Sequence, residues 1–416
     1  MPALRRLHGV LGPSREIAAG LVLFAALVVT TAVVSASTHH SHLVTALHAP
    51  EAGGGAFVPA TSSTTTSTAP STTTTTVPPT TTTTPPAPST TEPPRSAPAA
   101  PPPTTPAPPP ARISAAVGVY TGAANPSGAA SFAQATGAHV TVVEDYLPGS
   151  TWNVIDGSNG ALSWMLDAWQ GSGYQLVLGV PMFDNSGTDS LAVGATGAYN
   201  PYFTTLAQTL VAAGQGNAIL RLGQEFTGSW NPWRVTDTTD AANYAEYYRQ
   251  IVTAMRSVDP GLRFIWEGAD PQDGSYSGAY TADDSYPGDA YVNYIGADTY
   301  DQSWAGGCGI PFNNTSTPAE SSCSWSTNTL PGLTRVADFA FAHGKPVVFP
   351  EWGLAVRGDG HGMGDDPTFI GAMASWMATH SVAFAIYFNF DVSGQVDAIT
   401  DGSFPASLAA YRFDFG

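Results

Sequence analysis

The stretch ILRLGQEFTGSWNPW, Ile219 to Trp233, opens as an apolar run of strand length. It sets a carboxylate, Glu225, at the end of that run and passes into a loop with two tryptophans. Such a run decides a fold only if it repeats, and it does. Three precede it, AAVGVY (Ala115 to Tyr120), HVTVVEDY (His139 to Tyr146) and YQLVLGVPMF (Tyr174 to Phe183), and its own run, AILRLGQE (Ala218 to Glu225), is the fourth. Four follow: LRFIWEG (Leu262 to Gly268), VNYIGADTY (Val292 to Tyr300), KPVVFPEW (Lys345 to Trp352) and VAFAIYFNF (Val382 to Phe390).

Helical periodicity fills several of the gaps. Tyr244, Tyr247, Ile251, Met255 and Val258 define one apolar face. Leu333, Val336, Ala337, Ala340 and Phe341 define another, closed by Gly344 as a C-cap. Strand alternating with helix predicts a parallel sheet. Eight strands spaced by about forty residues fit a (β/α)8 TIM barrel better than a doubly wound sheet.

The barrel is expected to occupy 112–416, because the preceding sequence has a different composition. Arg5, Arg6 and Arg15 lead into an apolar run, Ile17 to Ala36, long enough to cross a bilayer, so 1–37 reads as a signal peptide or a membrane anchor. Val34-Ser35-Ala36 offers a small-residue cleavage site, while the length of the run favours an uncleaved anchor. Segment 38–111 is a Thr/Pro-rich linker with too little apolar surface to offset the entropy of ordering. Fifty polyproline-like residues would reach on the order of 150 Å. His39, His40, His42 and His48 precede it and read as a solvated segment rather than a metal site. An extracellular or cell-surface location is the expectation.

The barrel segment holds 10 of the 14 basic and 29 of the 32 acidic residues. Such a surface repels phosphates, which argues against nucleic acid as a partner. Lys345 is the only lysine, so Schiff-base and phosphate-clamp chemistry have almost nothing to use. No zinc-ligand spacing and no glycine-rich nucleotide loop occur, so neither metal nor cofactor is expected. Cys308 and Cys323 are the only cysteines, and in an exported chain they most simply form one disulfide. Asn313 and Asn314 sit in N-x-[ST] patterns within that loop. The chain is expected to act as a monomer.

In this fold the active site lies at the C-terminal ends of the strands. Glu225 ends the fourth run and Glu351 the seventh. Two carboxyls across one mouth are what retaining glycoside hydrolysis requires: one protonates the departing oxygen, and the other attacks the anomeric carbon. Trp230, Trp233, Trp266, Trp304 and Trp352 fall at or just after strand ends, where flat rings would meet the C–H faces of sugars. Glu144, Glu267, Asp270 and Asp391 also lie near strand ends, to line sugar subsites or, more simply, to be solvated or bind backbone amides.

The pattern Arg-x-x-x-Glu-Phe-x-Gly-x-Trp, here Arg221, Glu225, Phe226, Gly228 and Trp230, resembles glycoside hydrolase family 26, the family best known for β-mannanases. Glu351-Trp352-Gly353 and the pair Asp298 and Tyr300 resemble it too, and the likeness spans nearly the whole domain. It implies that Glu225 is the acid/base, that Glu351 is the nucleophile, and that Tyr300 hydrogen-bonds it. Strand alternation would turn Arg221, Gly223 and Glu225 into one mouth, and Asp298 with Tyr300 likewise. Arg221 and Tyr300 would keep Glu351 ionised, while Glu225 needs an apolar or like-charged setting that raises its pKa. Arg221, Gln224, Trp230, Trp266, Asp298, Tyr300 and Trp352 are the expected substrate-binding set.

Two positions depart from the family. Gln224 stands where mannanases usually have His, and the end of the eighth strand, YFNFD, lacks a tryptophan that Tyr387 or Phe388 would have to replace. The leading expectation is an endo-acting, retaining hydrolase of a β-linked polysaccharide such as mannan. A β-glycanase of other specificity (xylan, mixed-linkage glucan), a carbohydrate-binding protein on a degenerate barrel, and a wall spacer are the competing readings. The last two leave one or both glutamates unexplained.

Overall fold

The computed structural model describes residues 113–268, 282–304 and 308–416. The signal or anchor segment, the linker, the four early histidines and Asp270 lie outside the described residues. All eight strands form: β1 (Ala116–Tyr120), β2 (Val140–Tyr146), β3 (Gln175–Val180), β4 (Ile219–Leu222), β5 (Arg263–Glu267), β6 (Tyr294–Gly296), β7 (Val347–Gly353) and β8 (Val382–Phe388). They pair in parallel in chain order, and β8 pairs with both β7 and β1, which closes the (β/α)8 barrel. Thr299–Tyr300 continues the line of β6 and pairs with Trp352–Gly353.

Closure divides the apolar residues into two populations. Val142, Val177, Ile219, Ile265, Val348, Phe384 and Ile386 fill the barrel interior, with Tyr120, Tyr300 and Phe388 among them. A much larger set packs the outer strand faces against the helices. Helix Thr238–Arg256 shows how a helix joins that shell. Asp237 accepts from the amides of Thr239 and Asp240, a cap that contributes about 1 kcal/mol. Tyr244, Tyr247, Ile251 and Met255 are buried on the face the periodicity predicts, and Tyr248 joins them. Val258 lies just past the helix end.

The helix Leu330–Ala342 buries Leu333, Val336 and Ala340. Gly344, at φ 63°, adopts the left-handed conformation that stops it. Phe341 corrects the sequence reading: it is 88% exposed, because one residue beyond Ala340 rotates the side chain about 100° out of the apolar stripe.

Beyond the seventh and sixth strands the loops are tied together. Cys308 and Cys323 are bonded. Asn314 exchanges both side-chain hydrogen bonds with the backbone of Arg357, at 2.7 and 2.8 Å, so its amide is committed to holding this loop. Among the described residues no helix is long and apolar enough to cross a membrane.

Candidate active site

Arg221, on β4, sits fully buried where four strands deliver carboxylates. Its Nη1 donates to Glu144 at 3.0 Å and to Glu351 at 2.6 Å, its Nε donates to Glu267 at 2.5 Å, and its Nη2 donates to Asp298. One cation cannot hold four buried anions, since each desolvated charge needs its own compensation. Burial pushes Glu144 and Asp298 well above the usual carboxylate range and Glu267 up to about 7, against the pull of Arg221.

Glu351 goes the other way. Burial opposes its charge, but the Arg221 guanidinium, together with hydroxyl donors from Tyr146 (2.6 Å) and Tyr300 (2.7 Å), outweighs burial and holds it below the usual value. Asp298 accepts from the Glu351 amide at 3.1 Å, fixing its backbone as well. Glu225 has the converse setting. Burial first, then the charge of Glu351, raise its pKa well above the usual range; Arg221 and a 2.9 Å hydrogen bond from Trp230 Nε1 oppose this without reversing it. Two carboxylates that sense each other electrostatically thus have their pKa values pushed in opposite directions.

The route by which these glutamates reach the mouth differs from simple alternation. β4 ends at Leu222, and both Gly223 (φ 57°) and Glu225 (φ 51°) adopt left-handed backbone. A Cβ on Gly223 would collide with Met182, in the outer core, so this residue does not share the Arg221 face. Left-handed backbone at a glutamate is unfavourable by about 1–2 kcal/mol, and the loop that follows holds it there. Trp233 Nε1 and Asn231 Nδ2 donate to the Gln224 carbonyl, Asn231 also to the Glu225 carbonyl, and the Val235 amide to Phe226.

In β7 the device is a bulge. Ala385↔Phe349 is followed by Tyr387↔Trp352, so Pro350 and Glu351 together oppose one residue of β8. Without the extra residue the Val348 face would continue through Pro350 to Trp352, and Glu351 would point outward. A proline suits the place because a bulge leaves an amide unpaired.

That parity also corrects two tryptophans. Trp266 precedes the inward Glu267 and Trp352 follows the inward Glu351, so both turn outward and are fully buried in the helix-facing core. Trp266 Nε1 donates to Ser285, and Trp352 packs on Tyr387, Tyr411 and Phe415; neither lines the mouth. Trp233 is buried too, holding the Glu225 loop. Trp230 and Trp304 retain exposed surface. Gln224 is buried, and its Oε1 has no hydrogen-bond partner among the described residues.

At the end of β8, Tyr387 faces the outer shell and donates to Asp397, which excludes it as a floor for the mouth. Phe388 points inward, 4.9 Å from Tyr120, and Phe390 follows at 5.5 Å from the same ring. Asp391 accepts from the amides of Asp397 and Ala398, the bland alternative for that acid. Glu144 is sequestered on Arg221, and Glu267, also held by Arg221, accepts a backbone hydrogen bond from Glu225, the bland alternative for that acid. Sequence reading missed Tyr146 altogether, although Val142, Glu144 and Tyr146 share one face of an alternating strand.

Residues 189–317 match the family model for glycosyl hydrolase family 26. A mannan endo-1,4-β-mannosidase of Bifidobacterium adolescentis is 28% identical over 170 residues, which are 38% of this chain and 15% of that relative. The chain therefore spans a small part of the curated relative's length. Among solved structures, a double mutant of the Cellulomonas fimi endo-β-1,4-mannanase superposes with a TM-score of 0.51 at 18% identity, covering 72% of this chain and 69% of that one. A modular endo-β-1,4-mannanase from the same organism gives 0.50 at 18% identity over the same shares. At that identity the likeness speaks for the barrel alone.

Proposed function

We propose that this barrel belongs to glycosyl hydrolase family 26 and that the chain is an endo-acting, retaining hydrolase of β-linked polysaccharide, with β-1,4-mannan as its first candidate substrate. The observation that carries this reading is the opposed setting of Glu225 and Glu351. Glu225 holds the proton that the departing glycosidic oxygen takes, and Glu351, ionised under Arg221, Tyr146 and Tyr300, attacks the anomeric carbon. Water then enters, gives its proton to Glu225, and releases the sugar with its original configuration. A pure binding protein would need neither the isolated proton on Glu225 nor three donors on Glu351.

The buried cluster supports the same reading. Arg221 is shared with three carboxyls, two of them raised well above the usual range and Glu267 up to about 7, which lets Glu351 remain the anion closest to the reacting carbon. The runs at 17–36 and 61–110 would hold such an enzyme outside the cell, secreted or anchored, where polysaccharide is found. The test is a reducing-end assay of the 112–416 domain on soluble mannan, xylan and mixed-linkage glucan, with the anomer of the first product read by NMR. Release of oligosaccharides with retained configuration is expected. No turnover on any of them, alongside measurable binding, would favour the carbohydrate-binding reading.

A further inference from the structure

Four aromatic rings are exposed among the described residues: Trp304, Phe312, Phe341 and Phe413. The last two stand singly on helices. Trp304 (45% exposed) and Phe312 (51%) are joined by His361, whose ring lies 4.0 Å from each. Isolated exposed rings are ordinary, whereas a contiguous set held in place marks a binding surface.

This set is held firmly. Trp304 Nε1 donates to Gln302, and Gln302 pairs with Gly362 in an antiparallel bridge. The Ser303 amide donates to the His361 carbonyl, and His361 Nδ1 lies 2.7 Å from the Ser303 carbonyl. A carbonyl only accepts, so Nδ1 carries the proton, and Nε2 of the neutral ring is an acceptor. Arg357 lies against Trp304, 5.1 Å from its ring centre, and is itself tied to Asp359 and Gln395.

The sequence GDGHGMG, Gly358 to Gly364, provides the backbone for this arrangement. A Cβ at Gly360 would collide with the Phe312 carbonyl, and one at Gly364 with the Asn314 carbonyl. Both glycines also have positive φ, at 83° and 75°. Their side-chain-free surfaces let this segment lie directly on the disulfide loop that carries Phe312, with His361 standing between the rings.

The platform belongs to the loops after β6 and β7, at the barrel end that carries Glu351. Trp304 follows Tyr300, the partner of Glu351, by four residues, so their Cα atoms are at most about 14 Å apart. We propose that Trp304, His361 and Phe312 form a remote sugar subsite, stacking on a β-linked sugar ring several units from the cleaved bond and accepting a hydroxyl at His361 Nε2. This rests on the hydrolase reading and adds to it a selection for long chains.

The test compares wild type with Trp304→Ala, Phe312→Ala and Trp304→Phe, reading the ratio of kcat/KM on soluble β-1,4-mannan to kcat/KM on mannotriose. The ratio should fall about tenfold in each alanine variant, as loss of one stacked ring implies, and recover substantially in Trp304→Phe. A ratio unmoved by the alanine variants would overturn the subsite while leaving the hydrolase intact. A ratio falling as far in Trp304→Phe as in Trp304→Ala would mark a structural lesion and overturn it too. Should wild type act on xylan or mixed-linkage glucan but not on mannan, the same ratio is read on that polymer and its trisaccharide; wild type that hydrolyses none of the three polysaccharides would instead remove the functional reading on which the subsite depends.

Discussion

At the scale of single residues, the site is an exercise in distributing protons among buried carboxylates. Glu351→Ala should abolish turnover on every substrate, since nothing else is placed to attack. Glu225→Ala should keep activity on aryl glycosides whose leaving group needs no proton, and azide should accelerate it, giving a glycosyl azide of retained configuration. Product NMR checks this; a retained glycosyl azide from the Glu351 variant, with an inverted one from the Glu225 variant, would exchange the two roles. Gln224 carries a separate expectation. Its buried Oε1 has no partner among the described residues, and a site that bonds a particular hydroxyl discriminates strongly against sugars lacking it. Wild type should prefer a decorated mannan or another β-glycan to plain mannan, and Gln224→His should move the ratio of kcat/KM values toward plain mannan. A wild type that prefers plain mannan and a variant that leaves the ratio unmoved would show the glutamine to be neutral.

Among the elements, the loops after β6 and β7 depend on covalent and backbone ties rather than on a core of their own. Cys308 and Cys323 are fifteen positions apart, and in the chain-entropy model closing a loop of that size stabilises by about 3 kcal/mol. Replacing both cysteines by serine should lower the urea midpoint accordingly. The same variant should weaken selection for long chains, because Phe312 lies within the closed loop. Two free thiols titrated in the denatured, unreduced protein would show that the bond does not form in solution. Glu225 illustrates the opposite arrangement, in which a loop is fixed by buried hydrogen bonds: two side chains, Asn231 and Trp233, meet the carbonyl of Gln224.

For the whole molecule, the buried acids set the dependence of stability on pH. Burial, partly offset by hydrogen bonds from Trp169, Ala124 and Tyr146, leaves Asp145 raised to about 6; burial, partly offset by Arg221, leaves Glu267 at about 7. Their ordinary values are 3.8 and 4.5, so above those values the folded state retains protons that the unfolded chain releases. Stability must then fall as pH rises from the unfolded values through the folded ones. Glu351 works in the other direction, its contribution being lost only as pH falls through its lowered value. The domain is therefore expected to be more stable near pH 5 than near pH 8, by on the order of 1 kcal/mol per pH unit for each retained proton. Urea midpoints across that range measure it, and a flat or rising midpoint would contradict the proton assignment.

The barrel was legible in the sequence because period-two and helical patterns are local: eight apolar runs separated by helical faces permit few other arrangements. Glu225 and Glu351 were legible because each ends its run, whereas Arg221, Asp298 and Tyr300 were expected from the resemblance to glycoside hydrolase family 26; the structure brings Arg221, Asp298, Tyr300 and Glu351 together. Which way each side chain turns was not. The bulge at Pro350 reverses the parity of β7, and left-handed backbone at Gly223 and Glu225 interrupts that of β4. Neither is visible until a partner strand and a packed loop impose it. The same neighbours decide that Trp266 and Trp352 belong to the core, that Glu144 and Glu267 are consumed by Arg221, and that Trp304, His361 and Phe312 meet. The residues of that last group are separated along the chain and are brought together by a disulfide, glycine contacts and hydrogen bonds between loops. Sequence alone determined which segments are strands and in what order they come; where β3, β4 and β6 stop, side-chain direction and protonation depend on non-local contacts, which exist only once the barrel has closed.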